Sequence, residues 1–210
     1  GWYSDTALTT KVTSVTLTKS TTVYAKWTEK TVQSTNPFID VADSAYYHDA
    51  VLWATERGIT SGTTGTTFSP GMICTRAQAV TFLWKAMGAP EPTSANCPFT
   101  DVSADDYYYK AVLWAIEKGI VKGTSPTTFS PNDTVTRSQS MTFLWRAAGE
   151  TTSISANPFA DVSKDAYYYN AVLWAVDTDI ANGTSDTVFS PDGGCTRAQI
   201  ITFLYRYMGK

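Results

Sequence analysis

Cys74-Thr75-Arg76-Ala77-Gln78 opens an apolar run that closes at Gly88, and the chain repeats this sentence twice. Val135-Thr136-Arg137-Ser138-Gln139 leads to Gly149, and Cys195-Thr196-Arg197-Ala198-Gln199 leads to Gly209. Each follows a Phe-Ser-Pro turn: Phe68-Ser69-Pro70, Phe129-Ser130-Pro131 and Phe189-Ser190-Pro191. Threonine followed three residues later by glutamine is a capping box, in which two side chains satisfy the orphan amides of a helix start. Thr75, Thr136 and Thr196 therefore read as N-caps, with Arg76, Arg137 and Arg197 at the first helical position. A helix start offers unpaired N–H groups and the positive end of the dipole to an anion. An arginine there adds a planar fork of donors suited to a carboxylate or phosphate. The pattern marks three similar candidate anion sites, although it equally suits plain solvated arginines at helix starts.

The repetition extends well beyond this stretch. Pro37-Phe38-Ile39-Asp40-Val41 returns as Pro98-Phe99-Thr100-Asp101-Val102 and Pro158-Phe159-Ala160-Asp161-Val162. Ala50-Val51-Leu52-Trp53-Ala54 returns at 111–115 and 171–175, and the copies align without a gap from the proline to the closing glycine. Each copy predicts a first helix, from about Tyr46 to Arg57 in the first, stopped by Gly58. A turn from Gly62 to Gly65 follows, then Phe68 returns to the core, and a second helix runs from Arg76 to Met87. Both helices are apolar on more than one side. A two-helix unit of this size hides too little surface to bury so much alone. The fold expected is mainly α: three helix–loop–helix repeats packed as a pseudo-three-fold bundle, because closure leaves no bare end to cap.

Residues 1–30 differ in character. Lys11-Val12-Thr13-Ser14-Val15 and Thr22-Val23-Tyr24-Ala25-Lys26-Trp27 alternate with β-branched and aromatic residues, which predicts strands. A small N-terminal β segment of two strands is marginal alone. Glu29 to Thr35 reads as a polar linker. Gly1-Trp2-Tyr3-Ser4-Asp5 and Tyr24-Ala25-Lys26-Trp27 resemble the final part of the Listeria–Bacteroides-type β repeat of bacterial surface proteins.

With 210 residues, 43% of them hydrophobic, the chain can form one or two domains with a real core. A formal charge of −3 argues against a broad basic face for nucleic acid. No apolar run approaches the length of a membrane span, so no membrane insertion is expected. Three cysteines are too few and too odd in number for a disulfide framework. Cys74 and Cys195 interchange with Val135, as small buried hydrophobes do, while a Cys74–Cys97 bridge is conceivable if the linker folds back. His48 is the only histidine and aligns with Tyr109 and Tyr169, so neither a metal site nor a catalytic base is indicated. No phosphate-binding loop, nucleophile elbow or cofactor motif appears. A start at Gly1-Trp2-Tyr3 looks like a cut inside a longer protein.

The combination of Phe-x-Asp-Val, a Tyr/Trp-rich first helix, a glycine turn, Phe-x-Pro and Thr-Arg-Ala-Gln resembles the S-layer homology (SLH) domain, in three copies at 36–89, 97–150 and 157–210. The resemblance implies a pseudo-trimeric spindle whose inter-domain grooves hold a secondary cell-wall polysaccharide non-covalently. It implies a monomer with internal pseudo-trimer symmetry, at the cell wall or cell surface, with no catalytic role. The family's usual ligand is an acidic glycan bearing a pyruvate ketal, and its motif arginine matches Arg76, Arg137 and Arg197. Where the family has glutamate, this chain has Gln78, Gln139 and Gln199, which still close a capping box but remove a negative charge beside each arginine. The family's Gly-Tyr at the central turn is Gly62-Thr63, Gly123-Thr124 and Gly183-Thr184 here, and its usual Trp in the first helix is Tyr46, Tyr107 and Tyr167.

Other candidates carry two readings each. Trp53, Trp114 and Trp174 could stack on a pyranose or pack against the neighbouring repeat. Asp40, Asp101 and Asp161 could pair with an arginine across a groove or cap the turn before the first helix. Lys85, Arg146 and Arg206 complement the dipole at the end of the second helix or line a groove. The function expected is anchoring of a secreted protein to an anionic wall glycan, held by arginine and helix-start amides. The alternative is a protein–protein or surface-lattice assembly module. Changing all three arginines to alanine is expected to abolish binding with unfolding nearly unaltered.

Overall fold

The computed structural model describes residues 2–14, 16, 20–25, 36–152 and 156–209. The chain divides into two compact units, Gly1–Thr35 and Asn36–Lys210. In the first, β1 (Trp2–Tyr3), β2 (Lys11–Val12) and β3 (Tyr24–Ala25) form an antiparallel sheet ordered β2-β1-β3. The sequence suggested two strands; Trp2 and Tyr3 supply a third, between the other two, with Trp2 opposite both Val12 and Ala25. Asp5 closes the first turn by accepting from the amides of Thr9, at 3.0 Å, and Thr10, at 2.6 Å. Val15, Lys26, Trp27 and the 29–35 linker lie outside the described residues.

Among its described residues the second unit contains six helices: α1 (His48–Glu56), α2 (Arg76–Ala86), α3 (Tyr109–Glu117), α4 (Arg137–Ala147), α5 (Tyr169–Asp177) and α6 (Arg197–Met208). The molecule is thus mainly helical. α2, α4 and α6 each begin with both halves of the capping box in place, at Thr75–Gln78, Thr136–Gln139 and Thr196–Gln199. The first helices start at His48, Tyr109 and Tyr169, later than Tyr46 and its equivalents, because the chain leading into them is held in turns, such as those closed by Ala45 N to Ala42 O and His48 N to Ala45 O. α1 and α3 stop at Gly58 and Gly119, both left-handed; the third repeat puts Asp179 there at φ 58°, a conformation aspartate tolerates better than most side chains.

Closure is visible in the pairing. α2 packs on α3, α4 on α5, and α6 returns to α1, so each second helix lies against the first helix of the next repeat. α2, α4 and α6 converge around the axis through Ala79, Leu83, Phe143, Leu144, Ile200, Phe203 and Leu204, leaving about 20 Å³ between them. Just before these helices the backbone itself forms a ring. Cys74 N donates to Cys195 O, Cys195 N to Val135 O, and Val135 N to Cys74 O, at 2.9 to 3.0 Å. Cys74, Val135 and Cys195 are fully buried there. All three cysteines are free, so Cys74 and Cys97 are not bridged; Cys74 is held at the ring, and Cys97 lies partly exposed ahead of the second repeat.

Candidate functional site: grooves between repeats

The site is built outward from the Phe-Ser-Pro turn. Asp40 takes the amides of Phe68 and Ser69, one per carboxylate oxygen, at 2.8 and 2.7 Å. Asp101 does the same for Phe129 and Ser130, and Asp161 for Phe189 and Ser190. These clamps hold Ser69, Ser130 and Ser190 in left-handed backbone at φ 57 to 60°, a conformation costly for serine without outside support. The aspartates thus secure the turn before the second helix, not the turn before the first.

The fixed turn presents its phenylalanine carbonyl to the arginine of the preceding repeat. Nε of Arg76 donates to Phe129 O at 2.9 Å, that of Arg137 to Phe189 O at 3.0 Å, and that of Arg197 to Phe68 O at 2.9 Å. A second donor, Nη2, reaches Lys122 O, Asn182 O and the Thr60 hydroxyl respectively. Each guanidinium lies over two phenylalanine rings, 4.6 to 4.8 Å from Phe129, Phe189 or Phe68 and 5.3 to 6.0 Å from Phe143, Phe203 or Phe82. The arginines are therefore 4 to 6% exposed, not solvated ornaments. Burial pulls their pKa values below the usual arginine value, but a guanidinium stays charged in proteins. No carboxylate among the described residues pairs with any of them. Each remains a desolvated cation held by neutral oxygens, two carbonyls for Arg76 and Arg137 and a carbonyl with the Thr60 hydroxyl for Arg197.

The helix-start amides have other employment. Arg76 N donates to Asp133 O and Ala77 N to Pro131 O; Arg137 and Ser138 donate to Gly193 and Pro191, and Arg197 and Ala198 to Met72 and Pro70. The third amide goes to the threonine cap. The expectation that these N–H groups meet an anion fails, because closing the ring consumes them.

A cleft of about 320 Å³ borders Arg76, lined also by Lys122, Gly123, Thr124, Gln139, Thr142, Phe143, Arg146 and Tyr167. It draws residues from all three repeats. Tyr167, like Tyr46 and Tyr107, is more than 60% exposed and rests edge-on against the next tyrosine at 5.0 Å. Gly62, Gly123 and Gly183 press on phenylalanine rings: a Cβ on each would approach Phe38, Phe99 or Phe159 to 2.5–2.6 Å. Trp114 and Trp174 are 3% and 6% exposed and line a second pair of grooves, of about 320 and 360 Å³, together with Arg146 and Arg206. Trp53 is half-buried, 5.6 Å from Tyr205, with Arg57 at 5.5 Å from its ring and its indole N–H unpartnered among the described residues. Arg76 and Gly123 thus share one cleft, Asp101 stands behind it through Phe129, and Trp114 faces the neighbouring one. Sequence reading passed over Lys122, whose counterparts Ser61 and Asn182 hide it from a search for recurring residues. Of the two readings for Arg146 and Arg206, the groove-lining one has structural support: both donate to the Ile120 and Ile180 carbonyls and face grooves.

The model of the S-layer homology domain matches three segments of this chain, 37–80, 98–139 and 158–201. The chain belongs to the S-layer homology domain family. It is 31% identical over 179 residues to "Exoglucanase XynX" of Acetivibrio thermocellus, covering 82% of this chain and 16% of that protein. It is 33% identical over 120 residues to the "Surface-layer 125 kDa protein" of Lysinibacillus sphaericus, covering 57% of this chain and 10% of that one, and 27% identical over 171 residues to "S-layer protein sap" of Bacillus anthracis, covering 80% and 20%. The chain spans a tenth to a fifth of the length of these relatives. An SLH unit is a non-catalytic anchoring module of the cell wall or cell surface, and this one has no helix among its described residues long and apolar enough to cross a membrane.

Proposed function

We propose that this SLH unit anchors a secreted protein non-covalently by gripping an anionic, pyruvylated secondary cell-wall polysaccharide in its inter-repeat grooves. The observation that carries the reading is the buried guanidinium of Arg76, which borders an open cleft and has no carboxylate partner among the described residues. A desolvated cation is stabilised by an anion far more than an exposed one is, so a glycan carboxylate supplies what the fold omits. Arg76, Arg137 and Arg197 meet the charge. Asp40, Asp101 and Asp161 hold the turns that aim them, and Gly62, Gly123 and Gly183 keep the groove floor close to the phenylalanine beneath. Trp114 and Trp174, with Trp53, form apolar walls for sugar faces. The unit acts as a monomer, its internal three-fold symmetry presenting several grooves on one body, and modest grooves combine through effective concentration along a repeating polymer.

The test is retention of the 210-residue chain on purified sacculi before and after acid stripping of the accessory polymer. Binding lost on stripping supports the polysaccharide. Binding retained points to peptidoglycan or to a protein partner and refutes the reading.

A further inference from the structure

The grooves are unlike one another in charge, and the second repeat carries two that share a wall. The cleft at Arg76 and Lys122 and the cleft at Trp114 and Lys118 both include Arg146. Ile120 lines one and Lys122 the other, so the step between them along the chain is at most about 7 Å. Arg146 is tied between them by donating from Nη1 to Ile120 O at 3.1 Å. The equivalent positions differ sharply. Lys122 is replaced by Asn182 in the third repeat and Ser61 in the first, and Lys118 by Thr178 and Arg57. The grooves of repeat two thus have Arg76, reaching in from repeat one, with Lys118, Lys122 and Arg146 along one path, against Arg137 and Arg206 at the equivalent positions for the third repeat and Arg197, Arg57 and Lys85 for the first. Of the acids near this path, Glu150, 3.9 Å from Arg146 Nε, and Glu117 and Asp133 are exposed, too solvated to neutralise it, and Asp101 is spent on the Phe129 and Ser130 amides.

We infer that this double cleft is the principal glycan site, a trough that takes an acidic oligosaccharide of at least two consecutive charged units, one against Arg76 and Lys122 and the next against Arg146, Lys118 and the Trp114 face. The inference rests on the polysaccharide reading above. Its distinct content is the ranking of the grooves and the length of the bound segment.

The probe is accessory polysaccharide released from sacculi by acid and fractionated by length, titrated calorimetrically into the whole chain. Affinity rises at least about tenfold, which is 1.4 kcal/mol, from a fraction with one charged unit to a fraction with two. Lys118→Thr with Lys122→Asn, both exposed positions, weakens binding of the longer fraction about tenfold while the unfolding midpoint stays unchanged. Arg57→Thr with Lys85→Ser weakens it less than about twofold. Thr178→Lys with Asn182→Lys adds a second site, visible as a doubled stoichiometry. Equal losses from the two charge-removing pairs, or affinity independent of length, overturn the trough while leaving the polysaccharide reading intact. Absence of binding by the unaltered chain overturns both.

Discussion

Arg197 and Asp40 never touch, yet they hold the same residue from opposite sides: Asp40 accepts from the Phe68 amide at 2.8 Å, and Arg197 Nε donates to the Phe68 carbonyl at 2.9 Å. The same arrangement joins Asp101 to Arg76 through Phe129 and Asp161 to Arg137 through Phe189. A carboxylate of one repeat and a cation of another are thereby coupled through a single residue of a buried turn, and the cation has no ion-pair partner among the described residues.

This coupling alters what arginine substitution does. Arg197→Ala strands buried carbonyl and hydroxyl acceptors and opens a gap over Phe68, a cost of about 2–4 kcal/mol. The earlier expectation that alanine leaves unfolding unaltered is therefore replaced. Asp40→Ala costs a similar amount by freeing two amides, and the double variant loses about 0.5–3 kcal/mol less than the sum, because both act through Phe68. Urea unfolding of the four proteins measures this, and strict additivity refutes the coupling.

Gly123→Ala tests the groove floor. Its Cβ meets Phe99 Cε1 at 2.5 Å and also runs into the backbone oxygens of Ser125 and Thr128. The turn must shift, costing about 1–3 kcal/mol. The expected result is a lower melting temperature, whereas alanine at Gly65, where an added Cβ meets nothing within 4 Å, shifts it little.

Thiol reactivity separates the cysteines. Burial pushes Cys74 up to about 12 and Cys195 up to about 11, and both are inaccessible at the backbone ring. Since the thiolate is the reactive species, a disulfide reagent at pH 8 titrates Cys97 alone in the folded chain. Denaturant exposes the other two.

In the N-terminal sheet, amide hydrogen bonds from Thr9 and Thr10 lower the Asp5 pKa from 3.8 to about 2. A depressed carboxylate stabilises the fold above its unfolded pKa, and that contribution is lost as pH falls from about 4 through about 2. Amide shifts of Thr9 and Thr10 followed by NMR should titrate with a midpoint near 2. In Asp5→Asn that titration disappears.

Much of the architecture was legible because repetition supplied its own control. The Thr-x-x-Gln pairs predicted three capped helices, and three capped helices form, since capping is a local matter settled within four residues. Apolar residues on several helix faces required partners outside each repeat, and the pairing of α6 with α1 provides the last of them. The start of the first helix was read too early because apolar and aromatic character continues through Tyr46 and Tyr47 while turn hydrogen bonds override it.

The sequence by itself determined that there are three equivalent units, where their second helices begin, and which arginine each contributes. Only the tertiary structure decided what that arginine faces. Its amide neighbours were committed to carbonyls of another repeat, its charge was buried with no carboxylate paired to it among the described residues, and at Arg76 Lys122 and Tyr167 were brought alongside from the two other repeats. Those contacts depend on closing a ring across more than 100 residues, as in the Arg197 bond to Phe68, and a local pattern carries no information about which distant backbone group arrives to satisfy a donor.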